Sequence, residues 1–273
     1  MKIYHYTSLD NLALILSHRT LRFNRLDRMD DPCERRFFSI GLDWSPYTYV
    51  SCWTETHEEN IPLWHMYAKE GVGVRICLDK DCIDWEKVLL SGFRLLDKQI
   101  KQPPGKNSGI IHGIEYNPFS IYGGIGVENC YHQIKYIDKT HFDSNVRIGG
   151  GHTLINKELA QNEFQKYIGL YKDKKWAFQN ETRFRLFCVP KYSEEETAIS
   201  FETFQQIVSQ KCHNPFLYID LPLKETSFEN MEITFGPNAS ESTITLLKLL
   251  KNEFAPSATL RPSILNDGNW RFL

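Results

Sequence analysis

The strongest constraint on the fold is the stretch at residues 176–187, Trp-Ala-Phe-Gln-Asn-Glu-Thr-Arg-Phe-Arg-Leu-Phe. From Thr182 on, polar or basic positions interleave with Phe184, Leu186 and Phe187. Aromatic and branched residues at this spacing predict a half-buried β-strand. Glu181 stands at the mouth of that strand, beside Asn180 and near Arg183. A carboxylate there can face a cleft while the sheet holds it in place. The plainer alternative is an ion pair with Arg183 or Arg185 on a sheet face, a contact worth little at a surface.

Around this stretch the pattern predicts a mixed α+β chain. Residues 3–7 read as a strand. Thr7 or Ser8 then caps a helix with Leu9, Leu12, Ile15 and Leu16 on one face, ending near Arg19. Residues 21–23 form a short strand, and 25–34 are polar with turn chemistry at Asp30, Asp31 and Pro32. A strand over 47–53 and a charged loop over 54–60 lead to a helix over 63–70. That helix stops at Gly71, and a strand follows to Leu78. Glycine and proline clusters mark 92–153 as a loop-rich excursion, with one strand at 134–137. A helix over 154–174 delivers the chain to the anchor strand. Further strands are expected at 197–201, 217–221 and 231–235, a helix from Ser240 or Ser242 to Leu250, and extended chain at 258–264.

A chain of 273 residues can bury a sizeable core as one domain, 1–273. The net charge of -2 gives no global attraction for nucleic acid or anionic membrane. The seven cysteines form no CxxC pair and no zinc-ligand spacing, and their odd number with no signal peptide points to a reducing cytoplasm. No apolar run approaches the length of a membrane span. There is no P-loop, no HExxH, and the Gly71-Val-Gly-Val segment lacks the third glycine of a dinucleotide fingerprint. Side chains two apart on a strand share a face, which pairs His5 with Thr7 and Ser51 with Trp53. A buried histidine of this kind is more often satisfied by a backbone carbonyl than active. Lys172, Lys174 and Lys175 read as a solvated helix end, or as phosphate contacts.

Several short motifs occur in a telling order. They are Tyr4-His-Tyr-Thr-Ser-Leu-Asp-Asn-Leu-Ala-Leu-Ile-Leu16, Asp30-Asp-Pro-Cys-Glu34, Val50-Ser-Cys-Trp53, Leu63-Trp-His-Met-Tyr-Ala68 followed by Gly71, Trp176 to Arg183, and Ile233-Thr-Phe-Gly-Pro237. In this order they resemble the bacterial domain-of-unknown-function 2971 family from residue 3 to about 265. The second motif departs from that family's usual Asn-Asp-Pro-Phe-Glu, and residues 92–133 have no counterpart. The family in turn looks like a divergent branch of the ADP-ribosyltransferase fold, which includes nucleic-acid-modifying toxins of bacterial conflict systems.

The resemblance implies a split β-sheet around an NAD cleft with flanking helices, NAD as co-substrate, and no metal. It implies Glu181 as the catalytic residue, stabilising an oxocarbenium-like transition state and taking a proton from the attacking group. His5 and Thr7 would bind ribose hydroxyls, with Ser51 beside them. Tyr67 or Tyr6 would stack on the nicotinamide, and Arg28 or Arg183 would neutralise pyrophosphate. Trp53 and Arg28 fall on the substrate side. Arginine-directed members carry an acidic residue two before the catalytic Glu, where this chain has Gln179. That shifts the expected acceptor toward nucleic acid, RNA before DNA, in a cytoplasmic toxin or antiphage effector with an antitoxin or chaperone as a possible partner. The rival expectations are an NAD glycohydrolase and a non-catalytic nucleotide- or partner-binding module.

Overall fold

The computed structural model describes residues 1–32, 34, 38–39, 42–90, 119–122, 130–138, 168–190 and 216–266. Among them are fourteen strands: β1 (Lys2–Thr7), β2 (Thr20–Arg25), β3 (Phe38–Ser39), β4 (Leu42–Asp43), β5 (Thr48–Thr54), β6 (Val74–Asp79), β7 (Phe119–Tyr122), β8 (Tyr131–Gln133), β9 (Lys135–Ile137), β10 (Tyr171–Asp173), β11 (Glu181–Pro190), β12 (Tyr218–Pro222), β13 (Glu232–Phe235) and β14 (Thr259–Pro262). The α-helices are α1 (Leu9–His18), α2 (Ile61–Tyr67), α3 (Trp85–Leu90), α4 (Glu225–Glu229) and α5 (Glu241–Phe254). The architecture is mixed α+β, a large mixed sheet with few helices, and it fits the expected fold class at that level.

Local chemistry sets the element ends. Ser8 Oγ accepts from Asn11 N and caps α1, and Ser240 does the same for α5 through Thr243 N. Asn60 caps α2, with Pro62 in its first turn. The turn after α2 passes through three left-handed residues, Lys69, Glu70 and Gly71, a conformation costly for all but the glycine. Leu12, Ile15 and Leu16 of α1 and Leu247 of α5 pack on one face of the sheet, with Phe23, Trp53, Ile76, Phe184 and Ile219 beneath them.

β5 organises the large sheet. One edge pairs along its whole length with β11, from Glu181↔Thr54 to Phe187↔Thr48. The other edge is divided. β2 takes only Tyr49 and Val50, and β1 takes only Thr54. β1 instead pairs over six residues with β6, which continues to β13 and the parallel strand β14. β2 continues to β12. The sheet therefore parts along Ser51, Cys52 and Trp53, and the exposed strand edge needs other partners there.

Two sequence expectations change. The expected excursion at 92–153 holds strands where it is described: β7 and β8 both add to β11. The helix expected over 154–174 does not reach its end. Residues 168–170 are buried, Gly169 has a positive φ of 68°, β10 pairs in parallel with β9, and a 3₁₀ helix spans Lys174–Gln179. Residues 154–167 and the strand expected at 197–201 lie outside the described residues.

Gly236 fixes the approach of β13 to the α2 turn. Its N–H donates to Gly73 O, and a Cβ there would overlap the Gly71 carbonyl. Backbone cannot move aside as a flexible side chain can. Gly236→Ala is expected to cost about 1–3 kcal/mol by urea unfolding. A variant as stable as the parent would show that this contact is loose.

Candidate functional site

The gap in the sheet opens into a cleft of about 490 Å³, within the range usual for small-molecule sites. β1 contributes His5, Tyr6 and Thr7, β2 contributes Arg22 and Asn24, and β5 contributes Val50, Ser51 and Cys52. α1 lends Asn11, Ile15 and His18 to one wall. A smaller adjoining cavity of about 90 Å³ is lined by Trp53, Lys172, Gln179 and Glu181. His5, Tyr6, Met29, Asp30, Cys52 and Tyr67 border both spaces, so the cleft adjoins the cavity beside Glu181.

His5 answers the unpaired edge of β5. Its Nδ1 lies 2.7 Å from Cys52 O. A carbonyl only accepts, so Nδ1 carries the proton and Nε2 is left as an acceptor. Burial lowers the His5 pKa from 6.5, although the Cys52 carbonyl opposes the shift. A depressed histidine contributes stability that is fully present above 6.5. Below 6.5 the unfolded chain takes up a proton that the folded ring resists, so the contribution falls with pH until the folded ring itself titrates. His5→Asn is expected to flatten the stability–pH curve just below 6.5, as read by urea unfolding across that window. An unchanged slope would mean that His5 is not held neutral.

Glu181 is 4% exposed, and both of its oxygens are held. Arg183 Nε and Nη2 donate to Oε1 at 2.8 and 2.5 Å. Lys172 Nζ donates to Oε2 at 2.5 Å. Glu34 closes the group. It accepts from Arg183 Nη1 at 3.1 Å and lies 3.5 Å from Lys172 Nζ. Two carboxylates and two cations thus alternate in a buried tetrad. Burial pushes the Glu181 carboxyl up, but Arg183 and Lys172 outweigh it and hold it at about 2. Burial also works against the Lys172 charge, and Glu181 and Glu34 more than offset it, raising its pKa. Glu34 is shifted up, because its burial exceeds the pull of Arg183 and Lys172.

The cleft brings together many of the residues singled out from sequence. Glu181, His5, Thr7, Ser51, Tyr67 and Arg28 all border one or both spaces. Thr7 Oγ1 accepts from Asn11 Nδ2, and Ser51 Oγ accepts from Trp53 Nε1. Tyr67 is half-buried, and its hydroxyl accepts from Gln179 Nε2 at 2.8 Å.

Three assignments move. Arg183 lines neither space. It is fully buried beneath Glu181, because residues two apart on a strand share a face, so it serves the carboxylate and not a pyrophosphate. Trp53 is 3% exposed, with its ring against His5 and Phe184, so it is a wall and not a surface for stacking bases. Tyr6 packs edge-on against Trp64 and its hydroxyl accepts from Asn60 N, which leaves Tyr67 as the accessible ring.

Two residues take parts that the sequence pattern did not assign to them. Lys172 is a buried partner of Glu181, while Lys174 and Lys175 are exposed. Arg22 stands in the cleft, stacked 3.6 Å over Tyr218 and held by Asp220 through bonds of 2.9 and 2.8 Å. The alternation Thr20, Arg22, Asn24 in β2 was the available signal for Arg22.

Other chemistries find less support in the side chains themselves. Cys52 borders both spaces, yet burial and the nearby Glu181 raise its thiol pKa and keep it protonated. Among the described residues no group of three or more His, Cys, Asp and Glu is placed to hold a metal ion, and no helix is long and apolar enough to cross a membrane. In comparisons with known proteins, no family model, no curated protein and no solved structure matches this chain.

Proposed function

We propose that the protein is an NAD-dependent ADP-ribosyltransferase acting on nucleic acid, RNA before DNA. The observation that carries this reading is an ionised, rigidly held Glu181 beside a cleft that has cations and a histidine acceptor along its walls. The resemblance of the ordered motifs to the domain-of-unknown-function 2971 family, and through it to the ADP-ribosyltransferase fold, points the same way. So does a sheet that parts around the cleft.

The residues present fit NAD. Arg28 is exposed at the cleft and Arg22 keeps Nη1 beyond its bonds to Asp220, so both suit the pyrophosphate. His5 Nε2 suits a ribose hydroxyl, as an acceptor for its proton. The Tyr67 ring suits the nicotinamide, because it borders both the cleft and the Glu181 cavity. Breaking the bond from ribose C1′ to nicotinamide builds positive charge on the sugar. Glu181, placed against the neighbouring hydroxyl, would stabilise that charge.

The low Glu181 pKa narrows its part. A carboxylate held at about 2 is a poor base near neutrality, so its work is electrostatic and orienting. An oxocarbenium-like centre demands little activation of the incoming group. Such a site suits a weak nucleophile, and water among them, which keeps NAD hydrolysis as the second reading.

The test is incubation of the protein with labelled NAD and separate pools of RNA, DNA and protein. Label on RNA or DNA is the expected result. Label on protein alone would move the acceptor and keep the chemistry. Nicotinamide release with no labelled acceptor would favour the glycohydrolase. Neither binding nor consumption of NAD would sink the enzyme reading and favour a binding module.

A further inference from the structure

Lys172 stands closer to the reacting centre than its sequence context suggests. β10 carries it in from outside the large sheet, and its side chain is 4% exposed on the wall of the smaller cavity. Its ammonium meets Gln179 Oε1 at 2.8 Å, Glu181 Oε2 at 2.5 Å and Glu34 Oε1 at 3.5 Å. Two donors thus find hydrogen-bond acceptors, and Glu34 stands at ion-pair distance. The same contacts restrict Glu181. An ionised carboxylate has about four acceptor positions, two on each oxygen. Arg183 occupies both on Oε1 through Nε and Nη2, and Lys172 occupies one on Oε2. The Cys52 thiol, a weak donor, adds a further hydrogen bond to the same carboxylate, so the position open to a substrate hydroxyl is the one this weak donor holds.

We infer that Lys172 is a positioning residue for NAD cleavage: it pins Glu181 so that the acceptor position shared with the weak Cys52 donor meets the ribose hydroxyl. The inference rests on the reading of Glu181 given above. A cation this near opposes the positive charge that grows on the sugar, so charge is not what Lys172 contributes to the reaction. It contributes direction. Glu34 balances the added charge through its ion pairs with Lys172 and Arg183.

The experiment compares wild type, Lys172→Met, Lys172→Arg and the double variant Glu34→Gln/Lys172→Met in thermal melts and steady-state NAD consumption. The double variant removes one charge of each sign, so the buried group stays neutral. Lys172→Met is expected to lower kcat about a hundredfold with KM for NAD nearly unchanged, the signature of a misaimed group. Lys172→Arg is expected to recover most of that loss. The double variant is expected to melt cooperatively while its kcat stays about a hundredfold low. A double variant with wild-type kcat, or a Lys172→Met loss confined to KM, would reduce Lys172 to a counter-charge. A double variant that does not fold would make Lys172 a folding residue and overturn the positioning role. Wild type that consumes no NAD would instead remove the reading of Glu181 itself, which an active wild type with an active double variant would leave standing.

Discussion

Glu181→Gln is expected to lower NAD turnover by about 10²–10³-fold, the loss typical of removing one preorganised electrostatic contact. The amide keeps the shape of the side chain and discards the charge that would face the oxocarbenium-like sugar. NAD binding is expected to persist, because Arg22, Arg28, His5 and Tyr67 lie along the cleft and not in the tetrad. Stability falls as well. Lys172 and Arg183 are left with Glu34 as the remaining carboxylate of the tetrad, and uncompensated charge of this kind costs about 3–5 kcal/mol. The acid limb separates the two effects. The Glu181 carboxyl is held at about 2, below the ordinary 4.5, so its stabilisation is present above 4.5 and is lost as pH falls through about 2. The variant lacks that limb at every pH. Calorimetric NAD binding, kcat at neutral pH and melts down the acid range measure the three parts. Undiminished turnover in a folded variant would exclude Glu181 from the chemistry.

Much of this site was legible in the sequence where the signal was local. Ser8 before the Leu9, Leu12, Leu16 pattern gave a cap and a helix face. Alternation in β1 put His5 and Thr7 together, and both border the cleft. The alternation after Glu181 marked β11. The plain ion-pair reading of Glu181 with Arg183 and the functional reading turn out to be compatible, since the pair is buried and stands at the cavity. What was not legible depends on contacts between distant segments. Lys172 sits among charged residues that read as a solvated helix end, and only the pairing of β10 with β9 turns it inward. Arg22 gains its fixed orientation from Asp220, 198 positions away. Glu34 was visible only as part of a motif. Its partner Arg183 is 149 positions on, and no local pattern announces such a pair.

Arg183→Met is expected to destabilise the fold by about 3–5 kcal/mol, a large part of the 5–15 kcal/mol that holds a typical domain together. The guanidinium is fully buried and uses all five of its donors. Nε and one Nη2 proton go to Glu181 Oε1, the other Nη2 proton to Glu34 Oε1, and Nη1 to Glu34 Oε2 and Gly169 O. Removing it strands two carboxylates in the interior with Lys172 as their remaining tetrad cation. Arg183→Lys is expected to recover little, because an ammonium has three donors and no planar fork with which to bridge both carboxylates. Glu34→Gln/Arg183→Met is expected to recover part of the loss, since it takes out one charge of each sign. The resulting coupling between Glu34 and Arg183 should be about 0.5–3 kcal/mol in a double-mutant cycle by urea unfolding. Zero coupling would mean that the tetrad is not a unit. The consequence reaches the cleft through the chain near Glu34, because Met29 and Asp30 border both spaces. A folded Arg183 variant is therefore expected to lose affinity for NAD as well as turnover, whereas the Glu181→Gln variant keeps its affinity. That contrast separates the residue that faces the substrate from the residue that holds it and the neighbouring wall in place.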